Sequence, residues 1–167
     1  MTPAPRRFAV VGSPVAHSKS PVMHAAAFAA LGLPHVYDKL ETSEAELRAR
    51  VEDLRTGRFS GLNVTVPHKT AVLALVDEVD PSAAATGAAN TLVVAQGKVR
   101  AHNTDAPAVR EELVALAKDE RSFLGRTALV LGTGGAARAA IFALGTLGVG
   151  RVVVRGRAHH PELEQVL

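Results

Sequence analysis

What most constrains this chain is an alternation of short apolar runs with helix-start signals, sustained along nearly its whole length. Residues 7–12 (RFAVVG) read as a strand. Ser20-Pro21 then opens a helix to about residue 31, with Ser20 as N-cap and proline at the first helical position. Residues 36–40 form a second strand, and Ser43 with Glu46 makes a capping box for a helix to about residue 55. Residues 62–66 form a third strand, stopped by Pro67, with a short helix from His68. Residues 80–87 (DPSAAATG) read as a short capped helix closed by glycine. Alternating strands and helices imply an α/β fold, a mostly parallel sheet with helices on both faces.

One interruption is expected. Gln96-Gly97 lies between the runs 91–95 and 98–101, which marks an antiparallel hairpin. A helix follows "NTD" and continues to about Lys118, and the polar stretch 118–126 (KDERSFLGR) reads as a linker. Beyond it come a strand (127–131), a glycine turn, a helix (136–147) and a strand (151–155). The expected division is therefore a first domain over residues 1–118. Residues 119–167 form the first part of a Rossmann-type domain, about half of a doubly wound unit.

Composition narrows the function classes. The chain has 167 residues, 47% hydrophobic and 21% charged, enough apolar material for a real core. Its net charge is only +3 and no basic run is interleaved with aromatics, which argues against a nucleic-acid partner. No apolar stretch approaches the roughly 20 residues of a membrane span. Zero cysteines suit a reducing compartment, so a cytoplasmic, membrane-free protein is expected, as monomer or homodimer. The seven histidines show no ligand spacing, and no metal site is expected.

Chemistry is concentrated in two places. In "ALVLGTGGAARAAIFAL", Gly132, Gly134 and Gly135 stand after a strand and before a helix, where a dinucleotide turn needs them. The same glycines also suit a plain tight turn. The following strand ends "VVVRGR", with Arg155 and Arg157 and no carboxylate before Glu162, which favours a 2′-phosphate and so NADP over NAD. The second concentration is four polar groups at strand ends: "HSKSP" (17–21), "NVTVPHK" (63–69), "GAANT" (87–91) and "HNTD" (102–105). Ligands bind at the carboxyl ends of strands in such sheets, and small hydroxyls and amides suit a hydroxylated or carboxylated small molecule. Each has a plainer use: Ser20 and Thr104-Asp105 as caps, Asn90 as a turn residue, Lys69 as a solvated charge. A lysine in a first helical turn opposes the helix dipole, however, and asks for another partner.

Taken together and in order, "GSPVAHSKSPVMH", "GLNVTVPHK", "GAANT", "NTD" and "GTGGAARAA" resemble the shikimate dehydrogenase family. The resemblance implies a shikimate-binding substrate domain over 1–118 and the opening of a Rossmann NADP domain over 119–167. It implies NADPH-dependent, reversible reduction of 3-dehydroshikimate to shikimate, on the route to chorismate and the aromatic amino acids. Carried onto this chain, Ser18 and Ser20 would bind the substrate carboxylate, with Thr65, Lys69, Asn90 and Asp105 around the ring hydroxyls. Lys69 and Asp105 would be the catalytic pair. Gly132, Gly134, Gly135 and Ala136 would meet the cofactor pyrophosphate, and Arg155 its 2′-phosphate. The chain departs from the family pattern at Ala25, at Ala108 and in the "VRGR" turn. The alternatives are a quinate/shikimate dehydrogenase using NAD, and a non-catalytic shikimate-binding fragment.

Overall fold

The computed structural model describes residues 4–156. Its first sheet has six strands in the order β2-β1-β3-β5-β6-β4. The strands are β1 (Arg7–Gly12), β2 (Val36–Glu41), β3 (Gly61–Val64), β4 (Glu78–Val79), β5 (Thr91–Ala95) and β6 (Lys98–His102). β1 pairs in parallel with both β2 and β3, and β4 with β6, while β5 runs antiparallel to β3 and β6. Only β5 therefore runs against the rest, and the fold is α/β with a mostly parallel sheet. The hairpin turn between β5 and β6 places Gln96 and Gly97 both at positive φ (53° and 77°), as a two-residue connection of matching twist requires.

Helices cover both faces, and the pleat of β1 shows how. Ala9 and Val11 point into a cluster with Leu47, Val51 and Leu54 of helix α2 (Leu47–Arg55). Their neighbours Val10 and Phe8 point the other way, toward Phe28 of α1 (Ser20–Ala30) and Tyr37. A short helix, α3 (Pro81–Thr86), begins on the Asp80 side chain, which accepts from the Ser82 N–H, and ends at left-handed Gly87. Helix α4 (Asp105–Ala117) follows β6. Strands β7 (Thr127–Leu131) and β8 (Arg151–Arg155) form a separate parallel pair, joined by helix α5 (Gly135–Thr146).

Several expectations need correction. Ser20 is not the N-cap of α1: Lys19 holds that position, and the Ser20 hydroxyl caps nothing. Only half of the capping box forms: Glu46 accepts from the Ser43 N–H at 2.8 Å, but the Ser43 hydroxyl donates to the same carboxylate instead of accepting from the Glu46 N–H, on a turn that precedes α2. β3 ends at Val64 rather than 66. Instead of a helix from His68, the chain makes turns and then a 3-10 segment at Ala71–Leu75. Lys69 thus faces no helix dipole of its own. The expected linker contains a 3-10 turn, Glu120–Phe123, and α4 packs along α5, so the second sheet is seated against the first unit. Arg157 and Glu162 lie outside the described residues. Among the described residues, no helix is long and apolar enough to cross a membrane.

Candidate active site

β1 and β3 are adjacent, and the connection out of β1 runs to β2 on one side while that out of β3 runs to β4 on the other. Such a switch point opens a crevice at the carboxyl ends of the strands. A cleft of about 570 Å³ lies there, lined among others by His17, Ser18, Ser20, Asn63, Thr65 and Lys69. Asn90 reaches the same edge for a topological reason. It precedes β5, and because β5 is reversed, its start lies beside the ends of its neighbours.

At one end of the cleft Lys69 Nζ donates to Asp105 Oδ2 at 2.6 Å, the lysine side chain 14% and the aspartate 27% exposed. The other oxygen of Asp105 accepts from Asn90 Nδ2 at 2.7 Å, and the same amide reaches Thr104 Oγ1 at 2.8 Å. The carboxylate is thus fixed at both oxygens and cannot turn from the ammonium without losing a second bond. Behind it, Asn103 is 2% exposed. Its Oδ1 accepts from the Asp105 and Ala106 N–H groups, and its Nδ2 donates to Thr86 Oγ1 and the Ala88 carbonyl. Asn103, not Thr104 or Asp105, is therefore the residue whose side chain caps α4, and it ties "GAANT" to "NTD". On the lysine side, buried His68 meets the Thr42 carbonyl through Nε2 at 2.6 Å.

At the other end Ser18 Oγ donates to Ser20 Oγ at 3.1 Å and accepts from the Ser20 N–H. This loop hangs on β2: Glu41 accepts from the Val15 N–H at 2.9 Å, and Lys39 donates to the Ala16 carbonyl. Hydrogen bonds to the Ser13 hydroxyl and the Val15 N–H hold the Glu41 carboxyl below its usual range.

A line of hydrogen bonds joins the two ends. Ser20 bonds to the Tyr37 phenol. Tyr37 donates to Asn63 Oδ1 at 2.6 Å, Asn63 Nδ2 to Thr91 Oγ1, and Thr91 to Asn90 Oδ1. Burial pushes the Tyr37 hydroxyl up to about 12, with the Ser20 bond opposing. His24 stacks on the Tyr37 ring at 4.1 Å. Thr65 lines the cleft, and its methyl occupies the space that a Cβ on Gly12 would need.

The structure thus brings Ser18, Ser20, Thr65, Lys69, Asn90 and Asp105 to one edge. Tyr37 was not singled out from sequence; Thr104 was read only as part of a cap, and Asn103 and His68 lay inside the motifs without a binding role. Asn63 and Thr91 lay inside quoted motifs without a role of their own. One signal was available for Tyr37: it is the sole tyrosine, set in a strand.

The glycine turn lies between β7 and α5. Gly132 has φ 116°, and its N–H donates to the Arg155 carbonyl at 2.8 Å, which brings the exposed end of β8 beside the turn. A Cβ placed on Gly132 or Gly134 would meet nothing within 4 Å, and Ala136 is exposed. Backbone is therefore open to a close-approaching pyrophosphate, with Arg155 within the same turn region, and the residues fit a phosphorylated dinucleotide. Gly135 differs: it faces Lys69. Among the described residues no cluster of acidic, His or Cys side chains could hold a metal ion.

Known proteins share this chain's sequence and fold. The family described as shikimate dehydrogenase substrate binding domain matches residues 10–92. The NADP(+) shikimate dehydrogenase of Shouchella clausii is 45% identical over 140 residues, 84% of this chain and 50% of its own. That of Methylobacterium radiotolerans is 46% identical over 157 residues, 92% of this chain and 55% of its own. The chain therefore spans about half the length of these relatives. A solved structure of the Thermus thermophilus enzyme in complex with NADP(H) and shikimate superposes with a TM-score of 0.80 at 41% identity. It covers 96% of this chain and 60% of that one.

Proposed function

The chain belongs to the shikimate dehydrogenase family, and from that premise we propose that its cleft binds shikimate and 3-dehydroshikimate for NADP-dependent interconversion. The single observation that carries this reading is the Lys69–Asp105 pair, fixed by Asn90 at the wall of the cleft on the switch-point edge. Residues 1–118 would form the substrate domain and 119–167 the first part of the cofactor domain. Zero cysteines support a cytosolic setting.

In the proposed pose the substrate carboxylate meets the hydroxyls of Ser18 and Ser20, and the ring hydroxyls face Thr65, Asn90, Lys69 and Asp105. Gly132, Gly134, Gly135 and Ala136 would hold the cofactor pyrophosphate and Arg155 its 2′-phosphate. When bound, NADPH supplies the hydride for the ketone carbon. The chain's own part is electrostatic and protonic. As the C=O π bond breaks toward oxygen, the Lys69 ammonium stabilises the developing alkoxide and transfers a proton to it. Asp105 keeps the ammonium aimed, and it is itself held by Asn90. In the reverse direction neutral Lys69 accepts the hydroxyl proton.

Calorimetric titration of this chain with shikimate tests the reading. Saturable one-to-one binding, weakened in Ser18→Ala and in Lys69→Ala, is expected. No binding by the intact folded chain would overturn it.

A further inference from the structure

Of the three turn glycines, Gly135 alone has no room for a side chain. A Cβ there would lie 2.7 Å from Lys69 Cβ, 2.8 Å from Cδ and 3.3 Å from Cγ, whereas at Gly132 and Gly134 it would meet nothing within 4 Å. Gly135 is also not among the glycines at positive φ, so backbone conformation does not demand glycine there. What excludes a side chain is Lys69.

The contact falls on the root of the lysine, which cannot swing aside. The Lys69 carbonyl accepts from the Ala89 N–H at 2.7 Å, and the His68 ring before it is anchored to the Thr42 carbonyl. The far end is held by Asp105 at 2.6 Å. Asp105 begins α4, Gly135 begins α5, and these two helices pack together. One turn further along α5, buried Arg138 places Nη1 3.0 Å from the space beside left-handed Gly87, which seats the helix over the "GAANT" segment. The lysine stem therefore runs between two helix starts, with its ammonium on one and its methylenes on the other.

We propose that Gly135 is a positioning residue for Lys69. By lacking a Cβ it lets α5 close on the lysine stem and hold the ammonium on Asp105. The third glycine of the turn thus serves the substrate side of the reaction, while Gly132 and Gly134 remain open to the cofactor. This rests on Lys69 acting at the substrate, as above.

The test is a double-mutant cycle in the 167-residue chain, with Gly145→Ala as a control because a Cβ there meets nothing within 4 Å. The first readout is the nitrogen-15 NMR signal of the Lys69 ammonium, assigned by its loss in Lys69→Ala. Gly135→Ala is expected to shift or abolish it and to weaken shikimate binding about tenfold, and Gly145→Ala to do neither. The second readout is Tm: Gly135→Ala lowers it by several degrees beside Lys69 but leaves it unchanged in a Lys69→Gly background, which removes the Cβ that the new methyl would strike. If Gly135→Ala does not fold, folding of the double variant gives the same answer. An unmoved ammonium signal, an equal Tm loss in both backgrounds, or failure of both variants to fold would overturn the proposal. Failure of the unmodified chain to bind shikimate would overturn the functional reading instead, while the ammonium signal and Tm cycle still decide the role of Gly135.

Discussion

The two ends of the cleft are built on different principles. The Lys69–Asp105 end is assembled from three separate segments and backed by buried, multiply bonded side chains, Asn103 and His68. The Ser18–Ser20 end is a single loop whose hydroxyls bond to each other and which is tied to the sheet by two exposed side chains, Lys39 and Glu41. A group that must deliver a proton to one atom needs a preset direction, which buried bonds provide. A group that binds a carboxylate through two hydroxyls needs only to be near, and the hydroxyls can rotate to donate. The difference predicts that one end governs rate and stability and the other affinity.

The largest expected effect is on chemistry. In a chain extended to the relatives' full length, Lys69→Ala should lower kcat by roughly 10²–10⁴, the usual worth of a positioned acid with its charge, and weaken substrate binding far less. An unchanged kcat would remove Lys69 from its role.

Next comes stability. Asn103→Ala leaves two N–H groups of α4 without their acceptor and takes one of two donors from the Ala88 carbonyl, which should cost about 2–3 kcal/mol and lower Tm by roughly 5–10 °C. Thermal unfolding checks it, and a loss no larger than that of Ser18→Ala would erase the contrast between the ends.

Ser18→Ala should weaken shikimate binding by about 1 kcal/mol, close to fivefold, with Tm almost unmoved. Calorimetry and thermal unfolding of the same samples separate the two quantities.

Two smaller effects concern pH. Tyr37 is the sole tyrosine and there is no tryptophan, so ultraviolet titration of phenolate reads it alone. Its midpoint should lie near 12 rather than 10. Because the folded value is raised, its contribution to stability is present below 10 and fades as pH rises through 12. Glu41 has the opposite sign. Its folded value is depressed below 4.5, so its contribution is present above that value and lost as pH falls through the folded one. Glu41→Gln should flatten the acid limb of the stability curve slightly, and an unaltered limb would count against its hold on the serine loop.

Much of this was legible in the chain itself. Short continuous apolar runs bounded by polar or glycine residues placed β1, β7 and β8 residue for residue, because strands of a helix-covered parallel sheet leave that pattern. Asp80 and Gly87 bounded α3 as expected, since capping is local chemistry within four residues. Where local reading failed, a distant partner had intervened. Ser20 looked like a cap, but its hydroxyl is engaged by Ser18 and Tyr37. Asn103 looked incidental beside Thr104-Asp105, because its four bonds reach Thr86 and Ala88 as well as forward along the chain.

By itself the sequence determined the α/β class, the order of every strand but β4, and the motifs whose residue types carry the chemistry, because those follow from neighbours along the chain. Only the tertiary structure decided that reversing β5 brings Asn90 to the edge where β1 and β3 end. It alone made Asn103 the support of Asp105, and it turned Gly135 from one of three turn glycines into the wall against which Lys69 rests. Those assignments depend on contacts between segments tens of residues apart, and no local pattern of side chains encodes them.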